Sequence, residues 1–77
     1  MRIHTTRLLG SYGFVKYLIE EGIVLGRVRY EVFEGIATVR VIEIHRQHQR
    51  EAVEDRLIEA INQEYQGKIR IKQMVSR

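Results

Sequence analysis

The sequence of 77 residues contains no cysteine and no proline. Without cysteine it has no disulfide framework, no thiolate ligand for a metal and no cysteine nucleophile. Without proline it has no stiff linker that could separate two domains. No apolar run approaches the roughly 18 residues of a membrane span, and residues 1–7 lack the apolar centre of a signal peptide. These absences favour a cytoplasmic protein that has no membrane partner.

The remaining composition is that of a small folded domain. Hydrophobic residues make up 44% of the chain and charged residues 30%, a balance that is too apolar for a disordered protein. Since a second core could not be buried within this length, we expect residues 1–77 to form one domain. The formal net charge is +3.

Hydrophobic spacing predicts four strands and two helices. Alternation indicates strands, and apolar residues at three- and four-residue steps indicate amphipathic helices. Glu34-Gly35 lies between two alternating segments and predicts a tight hairpin, while Gly22 and Gly67 are expected to end the two helices. The predicted elements are a weak strand over 2–6, a helix over 12–21, strands over 27–33 and 36–44, a helix over 48–66 and a strand over 68–72.

This order, β-α-β-β-α-β, predicts an α+β fold. Two amphipathic helices and four strands are expected to form a two-layer sandwich, with both helices on one face of an antiparallel sheet. Right-handed crossovers would make it ferredoxin-like, with the first and third strands central. If the first strand does not form, the alternative is a three-stranded α-β-β-α-β sheet.

The sheet face turned away from the helices, here called the open face, is predicted to be basic. The opposite register would bury Arg27, Arg29 and Arg40 in the core, at a prohibitive desolvation cost. A two-residue turn would also set Arg29 directly opposite Arg40. The basic side chains predicted on the open face are Arg2, His4, Arg27, Arg29, Arg40, Lys68, Arg70 and Lys72.

A basic sheet face has two interpretations. Its side chains are either a solvated cover whose long stems shield apolar surface, or a binding site for an anionic partner such as nucleic acid. In the second interpretation the phosphate-binding residues are Arg27, Arg29, Arg40, Lys68, Arg70 and Lys72. Glu31 is the one acid expected among the outward positions of these strands, whereas residues 51–66 hold five acids and one base.

Four apolar side chains are expected near one end of the same face: Phe33, Ile36, Ile42 and Ile44. Contiguous exposed apolar patches usually mark a partner surface. A small domain gains stability by pairing such patches, so we expect a homo-oligomer or a protein partner. The alternative is that a long loop, or the C-terminal Met74-Val75, folds over them.

The sequence contains no clear set of residues for a catalytic or a metal-binding site. The single aspartate, Asp55, falls on the second helix, and Ser11 and Ser76 have no evident base beside them. His45 and His48, together with His4, make a poor metal site without a carboxylate or thiolate. We therefore expect no cofactor and no metal, and an enzyme site only if subunits assemble one between them.

The segment Gly10-Ser-Tyr-Gly13 resembles the G-x-x-G loop of KH-type RNA-binding domains. It departs from that loop because it lacks a basic residue and has no room for a preceding helix. Tyr30 is expected to face inward and Phe33 to lie at the hairpin end, so the aromatic platform of RNA-recognition motifs is not expected. Three hypotheses follow: a non-catalytic oligomeric interaction or regulatory module, a nucleic-acid-associated protein that binds phosphates, and a small-ligand or enzyme site at a subunit interface.

Overall fold

The part of the chain that the structure describes folds as one helix on one face of a five-stranded sheet. The computed structural model describes residues 1–8, 10, 12–45 and 49–74. Within this part of the chain the elements are β1 (Arg2–Arg7), β2 (Gly13–Glu20), β3 (Ile23–Phe33), β4 (Ile36–Ile44), α1 (Arg50–Glu64) and β5 (Arg70–Gln73). The sheet order follows the chain, with antiparallel pairing from β1 to β4 and parallel pairing of β4 with β5.

The predicted ferredoxin-like β-α-β-β-α-β layout is wrong. The segment predicted as the first helix is strand β2, and the sheet is mixed and sequential rather than antiparallel with the first and third strands central. The first strand does form, so the three-stranded alternative does not apply. The α+β class is retained, because α1 packs on β2, β3 and β4 to form the second layer.

Strand β2 is not predicted from the sequence because both of its faces are largely apolar. Phe14 and Leu18 contact the core beneath α1, while Val15, Tyr17 and Ile19 alternate with them on the opposite face. A strand that is apolar on both faces shows no two-residue period, so its spacing can imitate that of a helix. Hydrogen bonding to β1 on one side and β3 on the other satisfies its backbone.

Two Glu-Gly dipeptides form the hairpin turns on either side of β3. The φ angles are 51° and 77° at Glu21-Gly22, and 49° and 76° at Glu34-Gly35. Two successive positive φ angles define the type I′ turn, whose twist matches that of paired strands. The hairpin predicted at Glu34-Gly35 is confirmed, whereas Gly22 ends no helix and instead completes the turn between β2 and β3.

A bulge in β4 changes which of its side chains face the core. The turn sets Phe33 opposite Ile36 as predicted, and this register continues to the pair of Tyr30 with Val39. It then shifts by one residue, so that Arg29 pairs with Val41. Arg40 is the extra residue, and it does not pair with Arg29. Beyond the bulge, the alternation of every β4 side chain is reversed relative to the prediction.

The core lies between α1 and the central strands. Val53, Leu57 and Ile61 form the buried stripe of α1, as the spacing over 48–66 predicts, and they pack on Val28 and Val39 among others. The helix begins and ends within two residues of its predicted bounds. At its end the N–H of Gly67 donates to the carbonyl of Asn62 at 2.9 Å, and the positive φ of Gly67 permits this closure. Across the described residues, no helix has the length and apolar character needed to cross a membrane.

Candidate functional site

The open face of the sheet is the side that α1 does not cover. Residues paired across neighbouring strands share a face, so the register determines its membership. On β1 and β2 it comprises Arg2, His4, Thr6, Val15, Tyr17 and Ile19. On β3, β4 and β5 it comprises Val24, Arg27, Arg29, Glu31, Phe33, Ile36, Thr38, Val41, Glu43, Arg70 and Lys72, together with Arg40, which forms an ion pair with Glu31. Leaving His4 aside, these positions hold six cations and two acids.

Two of the six cations are held in ion pairs on this face. Arg27 donates to Glu43 at 2.7 Å, and the Nε atom of Arg40 lies 3.5 Å from a carboxylate oxygen of Glu31. The hydrogen bond from Arg27 lowers the pKa of Glu43, and the same bond raises the pKa of Arg27 despite slight desolvation. Glu43 joins the open face through the β4 bulge, because the unbroken alternation expected from the sequence would have turned it inward.

The other four cations, Arg2, Arg29, Arg70 and Lys72, have no carboxylate within ion-pairing distance among the described residues. Arg29 is the central one, since it is exposed on the middle strand and lies between Val15 and Val41. Its side chain is therefore carried on a strand that is paired on both sides, and it faces solvent.

The predicted phosphate-binding residues thus largely come together on one surface. Arg70 and Lys72 lie on β5, in register with Ile36 and Thr38 of β4. Lys68 is exposed but precedes β5, outside the paired strand. Of the six predicted positions, four are on the open face by register, and Arg40 joins them through its ion pair with Glu31.

The apolar patch predicted at one end of this face is smaller than expected. Phe33 is 59% exposed, and Ile36 is also exposed beside it on the open face. The β4 bulge moves Ile42 and Ile44 to the helix side, where Ile42 is buried and Ile44 packs against the core. Met74 is exposed and does not cover the patch, and Val75 lies outside the described residues.

Two aromatic contacts on or beside the open face were not predicted. The Tyr17 ring lies 6.3 Å from the His4 ring, centroid to centroid, and the Tyr12 ring lies 5.8 Å from that of Phe33. The spacing over 12–21 predicts a helix that contains Tyr12 and Tyr17, so neither is expected on this face. The Glu21-Gly22 dipeptide, which matches the Glu34-Gly35 turn, was the local signal that could have identified β2 as a strand.

The histidines do not form a metal site in the described part of the chain. His4 lies on β1 beside Tyr17, His45 follows β4, and His48 lies outside the described residues. No group of three or more side chains of the metal-binding types occurs among the described residues. The Gly10–Gly13 segment leads into β2 rather than into a helix, so it does not have the context of a KH loop.

A buried polar cluster lies on the opposite face, beneath α1. Lys16 is only 4% exposed; its Nζ donates to the Thr5 hydroxyl at 2.8 Å and pairs with Glu64 of α1. The Tyr30 hydroxyl donates to the same carboxylate at 3.0 Å, and burial together with this bond raises the pKa of Tyr30. Tyr30 and Lys16 are closed to solvent and both contact Glu64 of α1, so the cluster connects the helix to the sheet.

The most prominent concavity, about 670 Å³, lies on the helix side. Leu18, Leu25 and Val53 line it together with Glu20 and Glu59. Among its lining residues the acids Glu20, Asp55 and Glu59 outnumber the one base, Arg56, so it is unsuited to an anion. Exposed acids also follow the outer side of α1, so the protein carries opposite charge on its two layers.

A scan against protein-family models found no match to this sequence, and a search of curated proteins found none either.

Proposed function

We propose that the protein binds nucleic acid by placing the phosphate backbone across the open face. One observation carries this proposal: six cations and two acids share the face, and four of the cations lack a carboxylate partner in the described part of the chain. Phosphates would neutralise these four cations, and binding would release the counterions condensed on the nucleic acid.

The spacing of the free cations favours a polymer over a small anion. Arg29 lies on β3 whereas Arg70 and Lys72 lie on β5, two strands away, which is roughly 10 Å at the usual strand separation. Arg2 lies on β1, four strand separations or roughly 19 Å from β5, so the four free cations cannot all converge on one phosphate group. They are suited to successive phosphates along a chain.

Self-association is the second candidate, favoured by exposed Phe33 and Ile36 at one end of the face. It has less support than the sequence suggested, because Ile42 and Ile44 belong to the helix side. Pairing two open faces would also bring the arginines of the two copies close together, and their like charges would repel. A mass measurement on the wild type and on Ile36→Glu tests it: a dimer that the substitution dissociates would support this candidate.

Fluorescence anisotropy with labelled oligonucleotides, at about 50 and 200 mM salt, tests the main proposal. We expect affinity to fall steeply between the two salts. Arg29→Gln should weaken binding several-fold for all sequences, and the triple variant Arg29→Gln/Arg70→Gln/Lys72→Gln should reduce the salt slope by about 2 to 3.

The matched control is Arg56→Gln, which removes one exposed arginine from α1 on the other layer. It changes the net charge by the same amount as Arg29→Gln and should leave binding unchanged. Equal weakening by the two variants would mean that net charge, not the open face, governs binding. Absence of binding at the lower salt would refute the proposal.

A further inference from the structure

We propose that the nucleic acid bound by this face is single-stranded, with bases stacked on Phe33 and Tyr12 at one end and on Tyr17 towards the other. This inference rests on the proposed function and adds the form of nucleic acid that the face selects. Its basis is the position of aromatic rings on the same surface as the free cations.

Packing in the core does not account for the Phe33 ring, because most of it is exposed to solvent. Phe33 is 59% exposed and Tyr12 is 68% exposed, and their rings meet at 57° with centroids 5.8 Å apart. Phe33 is paired with Ile36, which is in turn in register with the free cation Arg70. An exposed ring two strands from a cation on the same face allows an unpaired base to stack while its phosphate contacts the cation.

Tyr17 provides the second ring. It pairs with His4 on β1 and with Arg27 on β3, and its hydroxyl helps to raise the Arg27 pKa after the larger effect of Glu43. Arg27 and Phe33 are six residues apart on β3, which corresponds to about 20 Å of strand. Arg29 lies between the two aromatic groups, so a strand of several nucleotides could contact both rings and the central cation.

The width of the sheet disfavours a duplex. Five strands span roughly 19 Å at the usual separation, whereas the major groove of B-DNA is about 12 Å wide and admits one helix or a two-stranded ribbon. A duplex could offer this face only its outer phosphates. Its bases are already stacked on one another and cannot reach Phe33 or Tyr17.

The test compares a labelled 12-nucleotide oligo(dT) with a mixed-sequence 12-base-pair duplex at about 50 mM salt. Phe33→Leu keeps an apolar side chain but removes the ring. It should lower affinity for the single strand about tenfold and change duplex affinity less than twofold. Since Phe33 is exposed, the substitution should not unfold the protein, which a circular dichroism spectrum checks.

The absence of tryptophan permits a direct readout of stacking. Phe33→Trp introduces a single indole at the proposed site and should bind oligo(dT) at least as tightly as the wild type, with quenched fluorescence. Gln63→Trp, on the exposed side of α1, is the control and should show no quenching.

Three results would overturn the inference: equal affinity for duplex and single strand, unchanged single-strand affinity in Phe33→Leu, or an unquenched Phe33→Trp indole at saturation. Failure of the proposed function is distinguishable, because then neither form binds in a salt-dependent manner. Salt-dependent binding that is equal for both forms would retain the phosphate-binding face and exclude base stacking on it.

Discussion

The buried pair between Lys16 of β2 and Glu64 of α1 leads to an asymmetric prediction. Lys16 is almost completely enclosed, and its ammonium contacts the Thr5 hydroxyl, the Glu64 carboxylate and the face of the Tyr30 ring, 5.7 Å from its centroid. The Glu64 side chain is 35% exposed, so water reaches it. Neutralising Glu64 leaves the Lys16 charge buried without a counter-charge. Removing the Lys16 ammonium instead leaves the Glu64 carboxylate, which solvent can still hydrate.

The magnitudes follow from this difference in exposure. Breaking a buried ion pair by removing one partner costs about 3–5 kcal/mol, and solvent access to Glu64 reduces this to about 2–3 kcal/mol for Glu64→Gln. Lys16→Met fills a similar volume without a charge and should cost about 1 kcal/mol or less. For a chain of this length the total stability is about 4–12 kcal/mol, so the larger loss is a substantial fraction of it.

Urea unfolding followed by circular dichroism at 222 nm measures both costs. In the Lys16→Met background, Glu64→Gln should cost about 1 kcal/mol or less, giving a coupling of about 1–2 kcal/mol in the double-mutant cycle. Glu59→Gln, an exposed position on the same helix, is the control and should change stability by less than about 0.5 kcal/mol. The reasoning would be refuted if Lys16→Met cost as much as Glu64→Gln, or if the two effects were additive.

Two further predictions concern the core. Gly26→Ala would place a Cβ 2.9 Å from side-chain carbons of Ile44 and Val53 and 3.1 Å from a backbone oxygen, so it should destabilise the protein by about 1–2 kcal/mol in urea unfolding; unchanged stability would contradict this packing. The raised pKa of Tyr30 means that its stabilising effect is complete below the unfolded pKa of about 10 and is lost as the pH rises above it. Tyr30→Phe should therefore lose less stability than the wild type between about pH 7 and pH 11, and an equal alkaline loss in both proteins would argue against it.

Local sequence chemistry predicted the elements whose pattern was self-contained. The Glu34-Gly35 hairpin follows from two positive φ angles that glycine makes accessible, and α1 follows from an apolar stripe ended by Gly67. In both, neighbouring residues along the chain supply the interactions that define the structure. Such elements can be recognised without knowing what packs against them.

Strand β2 could not be recognised in this way, because its pattern depends on neighbours on both faces. Val15 is buried on the open face and Lys16 on the core face, so both faces are largely apolar and the core-facing one also contains a charge. The buried charge is tolerated only because Glu64, which is 48 residues later in the sequence, supplies the counter-charge. No local rule connects these two residues.

The same distinction applies to the candidate site, part of which follows from the sequence and part from the tertiary structure. Strand alternation by itself determined that Arg27, Arg29 and the β5 cations face away from the core, since burying them unpaired would cost too much free energy. Tertiary structure decided the rest: the bulge at Arg40 turned Ile42 inward and Glu43 outward, and the pairing of β2 brought Tyr17 onto the basic face. The sign of the charge on each face is a property of single side chains and their solvation, which the sequence specifies. The register of a sheet is a property of strand pairs, and only the assembled fold selects it.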